Sequence, residues 1–221
     1  MKIRQIALAA LAMACLVPAA QATVISYTSN IIDLQDTNFT ETLGLQQFNS
    51  ALGHLNSVQI ALYANATGGV TLTNLNDDTA YALPVSLNVK LWLNDAGNHE
   101  LVAIDSPLFN TALDVASGAS ATASGSYSGS ALSSVFTSNL GMFTGNGSFA
   151  AYMIANAFTN TSGDGILAEF STQAGGYGKV TYDYTAAVAA VPEPETYGML
   201  LTGLGLMGVV ARRKKATQAN A

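Results

Sequence analysis

Alternation of apolar and polar residues with a period of two dominates the middle of the chain. The clearest run covers residues 85–93, in which five aliphatic side chains alternate with four polar or aromatic ones. The aliphatic set is Val85, Leu87, Val89, Leu91 and Leu93, and the alternating set is Ser86, Asn88, Lys90 and Trp92. This period predicts a β-strand with one buried face. At about 1.5–3 kcal/mol for each fully buried aliphatic side chain, the strand would stabilise the core by several kcal/mol.

Glycine-rich segments between further apolar runs predict turns. Residues 58–62 form a second alternating strand, and Thr67-Gly68-Gly69 then predicts a hairpin turn. A similar turn is predicted at Ala174-Gly175-Gly176, and residues 94–100 form another turn region. Residues 117–130 consist almost wholly of Ser, Ala, Gly and Thr, which predicts loops at both ends and leaves a strand open between them.

Many short strands without a convincing amphipathic helix predict an all-β fold. We expect an antiparallel β-sandwich or jelly roll over residues 23–189, flanked by an N-terminal signal helix and a short C-terminal transmembrane helix. About 167 residues suffice for one such domain but are few for two.

The N-terminus has the three-part layout of a secretory signal peptide. Lys2 and Arg4 precede an apolar run over residues 6–17, and Ala20 and Ala22 form an Ala-x-Ala cleavage site. Residues 1–22 are therefore predicted to be removed by signal peptidase after export.

The C-terminus combines a proline-rich motif, a short apolar run and a basic cluster. The motif is Val191, Pro192, Glu193 and Pro194, the uncharged run covers 198–211, and the cluster is Arg212, Arg213, Lys214 and Lys215. Prolines keep the motif extended and accessible to a processing enzyme. The cations keep the last residues, 216–221 included, in the cytoplasm. Fourteen residues reach about 21 Å as a helix, against a hydrocarbon core of roughly 30 Å. A temporary anchor fits this length, although composition alone leaves an ordinary single-pass anchor open.

Residues 190–215 resemble a PEP-CTERM sorting signal in every element, namely the Val-Pro-Glu-Pro motif, the short apolar span and the basic terminus. The resemblance implies an exosortase as the processing enzyme, with Val191, Pro192, Glu193 and Pro194 as its recognition residues. It also implies a diderm bacterial host and transient anchoring in the inner membrane. The final location would be the cell surface or an exopolysaccharide and biofilm matrix.

Residues 45–58, with the sequence LQQFNSALGHLNSV, are similar to a signature of choice-of-anchor E domains. The similarity extends more loosely over most of residues 23–185. It implies an exported β domain found with alternative anchoring tails, without catalytic residues that can be carried over.

Charge and composition exclude several classes of partner for residues 23–189. This segment contains twelve acidic residues against Lys90 and Lys179, a net charge near −10, so nucleic acid is not expected as a partner. Cys15 is lost with the signal, and His54 and His99 are the only histidines. A tetrahedral zinc site is therefore improbable, and no cofactor is expected.

These observations predict a non-enzymatic surface or matrix protein with a structural or binding role. One alternative is a calcium-dependent carbohydrate-binding module, with Asn76, Asp77 and Asp78 in an oxygen-rich turn as weak calcium candidates that lack the twelve-residue loop pattern. A second alternative is a secreted polysaccharide hydrolase, which needs two carboxylates in one groove.

Overall fold

The structure is a computed structural model that describes residues 22–187 and 198–208. The predicted signal helix, the sorting residues 191–194 and the basic cluster 212–215 lie outside these ranges. Residues 22–186 form one compact unit.

Nine strands and two 3₁₀ turns make up this unit. The strands are β1 (Ala22–Thr28), β2 (Ile32–Asp36), β3 (Phe39–Gln46), β4 (Gly53–Asn74), β5 (Ala80–Asn94), β6 (Glu100–Val115), β7 (Ser120–Leu132), β8 (Ser148–Thr161) and β9 (Ile166–Ala186). The 3₁₀ turns cover Ser50–Leu52 and Leu140–Phe143. All pairs of these strands are antiparallel, which confirms the prediction of an antiparallel β fold.

The strands form two sheets in a nested order. In sheet A the order is β1-β9-β4-β7, with β2 pairing to β9 beyond the end of β1, and in sheet B it is β3-β8-β5-β6. If β1 and β2 are taken as one interrupted edge strand, the remaining order is that of a jelly roll, two sheets built from Greek-key connections. Strands of both sheets contribute to a large hydrophobic cluster and to a smaller one that contains Val70, Leu72, Leu83, Val85 and Val115.

The period-two pattern of β5 explains how sheet B reaches this core. Val85, Leu87, Val89, Leu91 and Leu93 are all buried, whereas the residues between them are half-buried on the opposite face. The strand prediction for residues 85–93 is therefore confirmed. The predicted turn after it is confirmed as well, because β5 ends at Asn94 and β6 begins at Glu100.

The carboxylate of Asp95 helps to hold that turn, together with backbone hydrogen bonds between Asp95 and His99 and between Asn98 and Asp95. The backbone N–H of His99 donates to Asp95 Oδ1 at 2.8 Å, and His99 Nδ1 lies 3.0 Å from Asp95 Oδ2. Burial opposes ionisation of Asp95, but the hydrogen bonds from His99 and from the Gly97 backbone outweigh it and lower the pKa of this carboxyl. An ionised Asp95 thus fixes the short connection between the central and edge strands of sheet B.

The two glycine-rich turns predicted inside β4 and β9 are wrong. Both strands run straight through them and pair with each other from Gly53 to Asn74. A Cβ on Gly176 would collide with the Tyr63 carbonyl oxygen, and one on Gly175 would meet the backbone of Ile32 and Asp33. These glycines permit close approach of backbones within a sheet, which is a known use of glycine in strand interiors.

The small-residue segment left open by the sequence is the edge strand β7. Its side chains alternate strictly between exposed and half-buried positions along all thirteen residues. The exposed set consists of Ser and Thr up to Ser130, and the half-buried set of Ala, Gly and Tyr127. A Cβ on Gly125 would collide with the Leu108 carbonyl oxygen of β6. Small inward residues therefore let the edges of the two sheets meet.

Tyr182 of β9 links sheet A to sheet B in the centre of the core. Its side chain is fully buried, and its hydroxyl donates to the backbone carbonyl of Gln46 on β3 at 2.7 Å. Burial, with a smaller contribution from Tyr27, raises the pKa of the phenol well above its usual value. Tyr182 is thus a neutral hydrogen-bond donor at any physiological pH.

Replacing Tyr182 by Phe should lower the free energy of unfolding by about 1–2 kcal/mol, because the ring remains while the bond to Gln46 is lost. Chemical denaturation measures the change. Tyr81→Phe is the matched control, since Tyr81 is 73% exposed, and it should alter stability by less than about 0.5 kcal/mol. Equal effects of the two substitutions would contradict the described link between the sheets.

Candidate functional site

The predicted calcium candidates lie in the exposed connection between β4 and β5. Asn74, just before them, is fully buried, and its Nδ2 donates to the carbonyls of Asp78 at 2.7 Å and Val115 at 3.0 Å. Its Oδ1 accepts from the backbone N–H of Asn76 at 3.0 Å, and the Asn76 amide donates to the Asp164 carbonyl. These amides organise the turn. Within residues 22–187 and 198–208, no three or more His, Cys, Asp or Glu side chains are grouped to hold a metal ion.

An open groove of about 590 Å³ lies between residues 48–56 and 137–144. Its walls combine apolar residues, such as Phe48 and Leu140, with polar ones, such as Ser50, His54, Asn56 and Asn139. A glycoside hydrolase needs two carboxylates flanking the scissile bond. None of the described residues that line this groove is Asp or Glu, so the groove does not supply that chemistry.

The outer face of sheet B carries the chain's single tryptophan, Trp92. Lys90 places its Nζ 5.3 Å from the centre of the Trp92 ring and 3.4 Å from Glu100 Oε2. The sequence identified Trp92 only as a member of the outward set of β5. The sequence alone did not predict a role for Trp92, because the residues beside it on β6 and β8 are known only once the strand pairing is known.

The predicted signal cleavage site falls at the start of the folded unit. Ala22 is the first residue of β1 and pairs with Thr185 of β9, whereas Ala20 lies outside the described residues. Cleavage after Ala22 would leave β1 intact from Thr23 onwards. Cleavage at this site stays a prediction, because residues 1–21 lie outside the described part of the chain.

Residues 198–208 of the C-terminal segment form a helix whose side chains are exposed. Met199, Leu200, Leu201, Leu204 and Leu206 are each more than half exposed. The helices described in 22–187 and 198–208 include none with the length and apolarity needed to cross a membrane. The predicted transmembrane helix is thus not shown. Residues 191–194 and 212–215, which carry the predicted recognition and topology roles, lie outside the described part.

Residues 190–215 match the PEP-CTERM protein-sorting motif. The match covers every residue predicted for recognition and topology, from Val191 to Lys215. The motif indicates an exported protein that is anchored transiently in the membrane and then processed by an exosortase. It assigns no activity to residues 22–187.

Comparison with curated proteins gives no match. Among solved structures, a chain in the structure of infectious bursal disease virus Gt strain is similar to this chain. The two share 10% identity and a TM-score of 0.21, over 77% of this chain and 39% of the viral chain. The VP2 subviral particle of the same virus has 9% identity and a TM-score of 0.23, over 76% and 38%. The tobacco streak virus coat protein has 9% identity and a TM-score of 0.21, over 82% and 97%. The chain thus spans about two fifths of the bursal disease virus chains.

The similarity of residues 45–58 to choice-of-anchor E domains is not confirmed by these comparisons and stays a prediction. In the structure this segment contains the end of β3, the Ser50–Leu52 turn and the start of β4. Phe48 from it is buried against Tyr182 and Tyr184, with ring centres 5.7 and 5.1 Å apart. The segment therefore has a clear packing role.

Asn74→Ala should lower the free energy of unfolding by about 2 kcal/mol, because three backbone groups lose a buried partner. Asp77→Ala, an exposed neighbour, should change stability by less than about 0.5 kcal/mol. Millimolar calcium should leave the melting temperature of both variants and of the parent unchanged. A rise in melting temperature with calcium that Asp77→Ala removes would instead establish a calcium site at this turn.

Proposed function

We propose that this protein is a non-enzymatic component of the cell surface or of an exopolysaccharide matrix, delivered there through its sorting motif. The observation that carries the proposal is the match of residues 190–215 to the PEP-CTERM motif. The β unit of residues 22–186 would then do structural or binding work outside the cell.

The order of events follows from the two ends of the chain. Signal peptidase releases the N-terminus after Ala22, and the apolar segment beginning at Gly198 holds the chain in the inner membrane. The basic cluster at 212–215 stays cytoplasmic because its charges are costly to transfer across a bilayer. The Pro192 to Pro194 segment then lies on the outer side, where exosortase cuts near it.

The composition of the β unit supports a role outside the cell, within a matrix of polar polysaccharide. Its acidic residues, twelve against two lysines, keep it soluble and exclude nucleic acid as a partner. Its stability depends on packing and strand pairing without disulfides, since the chain's one cysteine precedes it. The groove between residues 48–56 and 137–144 lacks the acidic pair of a hydrolase, which favours a binding role over catalysis.

Intact mass of the protein from host cultures with and without the exosortase tests the delivery step. In the competent strain, the product should lack the C-terminal residues from the cut near Pro194 through Ala221. In the strain without exosortase, the same residues should be retained, together with membrane association.

Glu193→Ala should reduce tail removal at least tenfold in the competent strain, because the recognition glutamate is lost. Glu195→Ala is the matched control, since it changes the same residue type outside the Val-Pro-Glu-Pro motif, and it should be processed as the parent is. If the product of a competent host keeps Arg212 to Lys215, the protein is an ordinary membrane-anchored one and the proposal fails.

A further inference from the structure

The outer face of sheet B carries a continuous strip of aromatic and amide side chains along β5 and β8. Trp92 points outward because it alternates with the buried Leu91 and Leu93. Strand pairing sets Trp92 opposite Ile154 of β8 and Lys90 opposite Asn156. Residues directly opposite each other in an antiparallel pair share a face of the sheet. We call the residues Lys90, Trp92, Tyr152, Ile154, Asn156 and Phe158 the Trp92 strip.

The strip is long enough to contact an extended polymer. Tyr152 and Phe158 lie on the same face of β8, six residues apart, which corresponds to about 20 Å along an antiparallel strand. Phe158 is 54% exposed at one end, and Tyr152 is half-buried at the other. Trp92 lies between these two rings, on the neighbouring strand.

Trp92 is half-buried, and its register partner on β6 is the small residue Ala103. Lys90 places its ammonium over the ring, and this ammonium also pairs with Glu100 at 3.4 Å. Asp105 pairs with Lys90 across the strands. The strip therefore offers aromatic faces and hydrogen-bonding groups without excess positive charge.

The outer face of sheet A is different, although it also carries aromatic residues. Tyr63 and Tyr177 stack on each other with ring centres 4.7 Å apart and planes 10° apart, so each ring covers a face of the other. Around them lie the short hydroxyl side chains of β7. In the described part of sheet A, these two rings therefore cover each other and do not form an extended row.

We propose that the Trp92 strip binds a neutral polysaccharide along the direction of β5 and β8. Sugar rings present apolar C–H faces, which pack against aromatic rings, and hydroxyl groups, which pair with amides such as that of Asn156. An anionic polysaccharide is disfavoured because residues 22–187 carry a net charge near −10 and the strip has no unpaired cation. This inference rests on the proposed function. It specifies the polymer as a neutral polysaccharide and the contact surface as the outer face of sheet B.

Trp92 also provides the readout, because it is the chain's only tryptophan and its emission reports the strip alone. The full-length chain is titrated in a detergent without a sugar headgroup. The probes are three neutral polymers, hydroxyethylcellulose, dextran and galactomannan, and one anionic polymer, alginate. At least one neutral polymer should shift the emission of Trp92 and retard the protein in native affinity gels, whereas alginate should do neither.

Trp92→Ala should weaken retardation roughly tenfold or more, the loss expected when a central aromatic anchor is truncated. Phe158→Ser should also weaken retardation. Because Phe158 is exposed, this substitution leaves the core intact and keeps the test valid if Trp92→Ala destabilises the fold. Tyr63→Ser, a half-buried aromatic on the other sheet, is the matched control and should bind as the parent does.

The proposal is overturned if no neutral polymer binds, if alginate binds more tightly than every neutral polymer, or if Phe158→Ser binds unchanged. Loss of binding in Tyr63→Ser with retention in Trp92→Ala would assign the surface to sheet A instead. Tail processing is measured independently by mass. A correctly processed protein that binds no neutral polymer would refute this inference and leave the proposed delivery standing.

Discussion

Burial of one face of every long strand between two sheets is the constraint on which this structure depends. After signal removal the chain has no cysteine, so no disulfide can hold the sheets together. The large hydrophobic cluster instead joins side chains from sheet A, such as Ile60 and Tyr182, with side chains from sheet B, such as Leu91 and Met153. The bond from Tyr182 to the Gln46 carbonyl adds a directional contact across this interface.

The same constraint decides which chemistry faces outward. A slip of one residue in the pairing of β5 would turn its five aliphatic side chains to solvent and bury Lys90 and Trp92. The register is therefore strongly fixed, and with it the position of Trp92 beside Ile154 and Ala103. The pairing that buries one face of β5 thus places the Trp92 strip on the opposite face of the sheet.

The period-two pattern along the sequence predicted the strands whose side chains alternate clearly. The contiguous motifs at the two termini of the chain predicted its export and sorting. β5 and the turn at Asp95 to His99 follow from residues near in sequence, and the tail motif is contiguous. The continuity of β4 and β9 did not follow, because Gly68-Gly69 and Gly175-Gly176 are also good turn formers. Their role is set by close backbone contacts with residues far away in sequence. The Trp92 strip was missed for a related reason, since its rings come from two strands that only the pairing brings together.

The most direct test of this account is the labelling rate of single cysteines placed along β7 and β9 in a Cys15→Ser background. Ser124→Cys, Ser126→Cys and Ser128→Cys should react rapidly with a maleimide, because these side chains are exposed. Ala123→Cys should react more slowly, and Ala174→Cys, which is fully buried beside Gly175, should react slowest. Equal rates at neighbouring positions of β7, or rapid labelling at Ala174, would mean that these segments are loops and that the two-sheet arrangement described here is wrong.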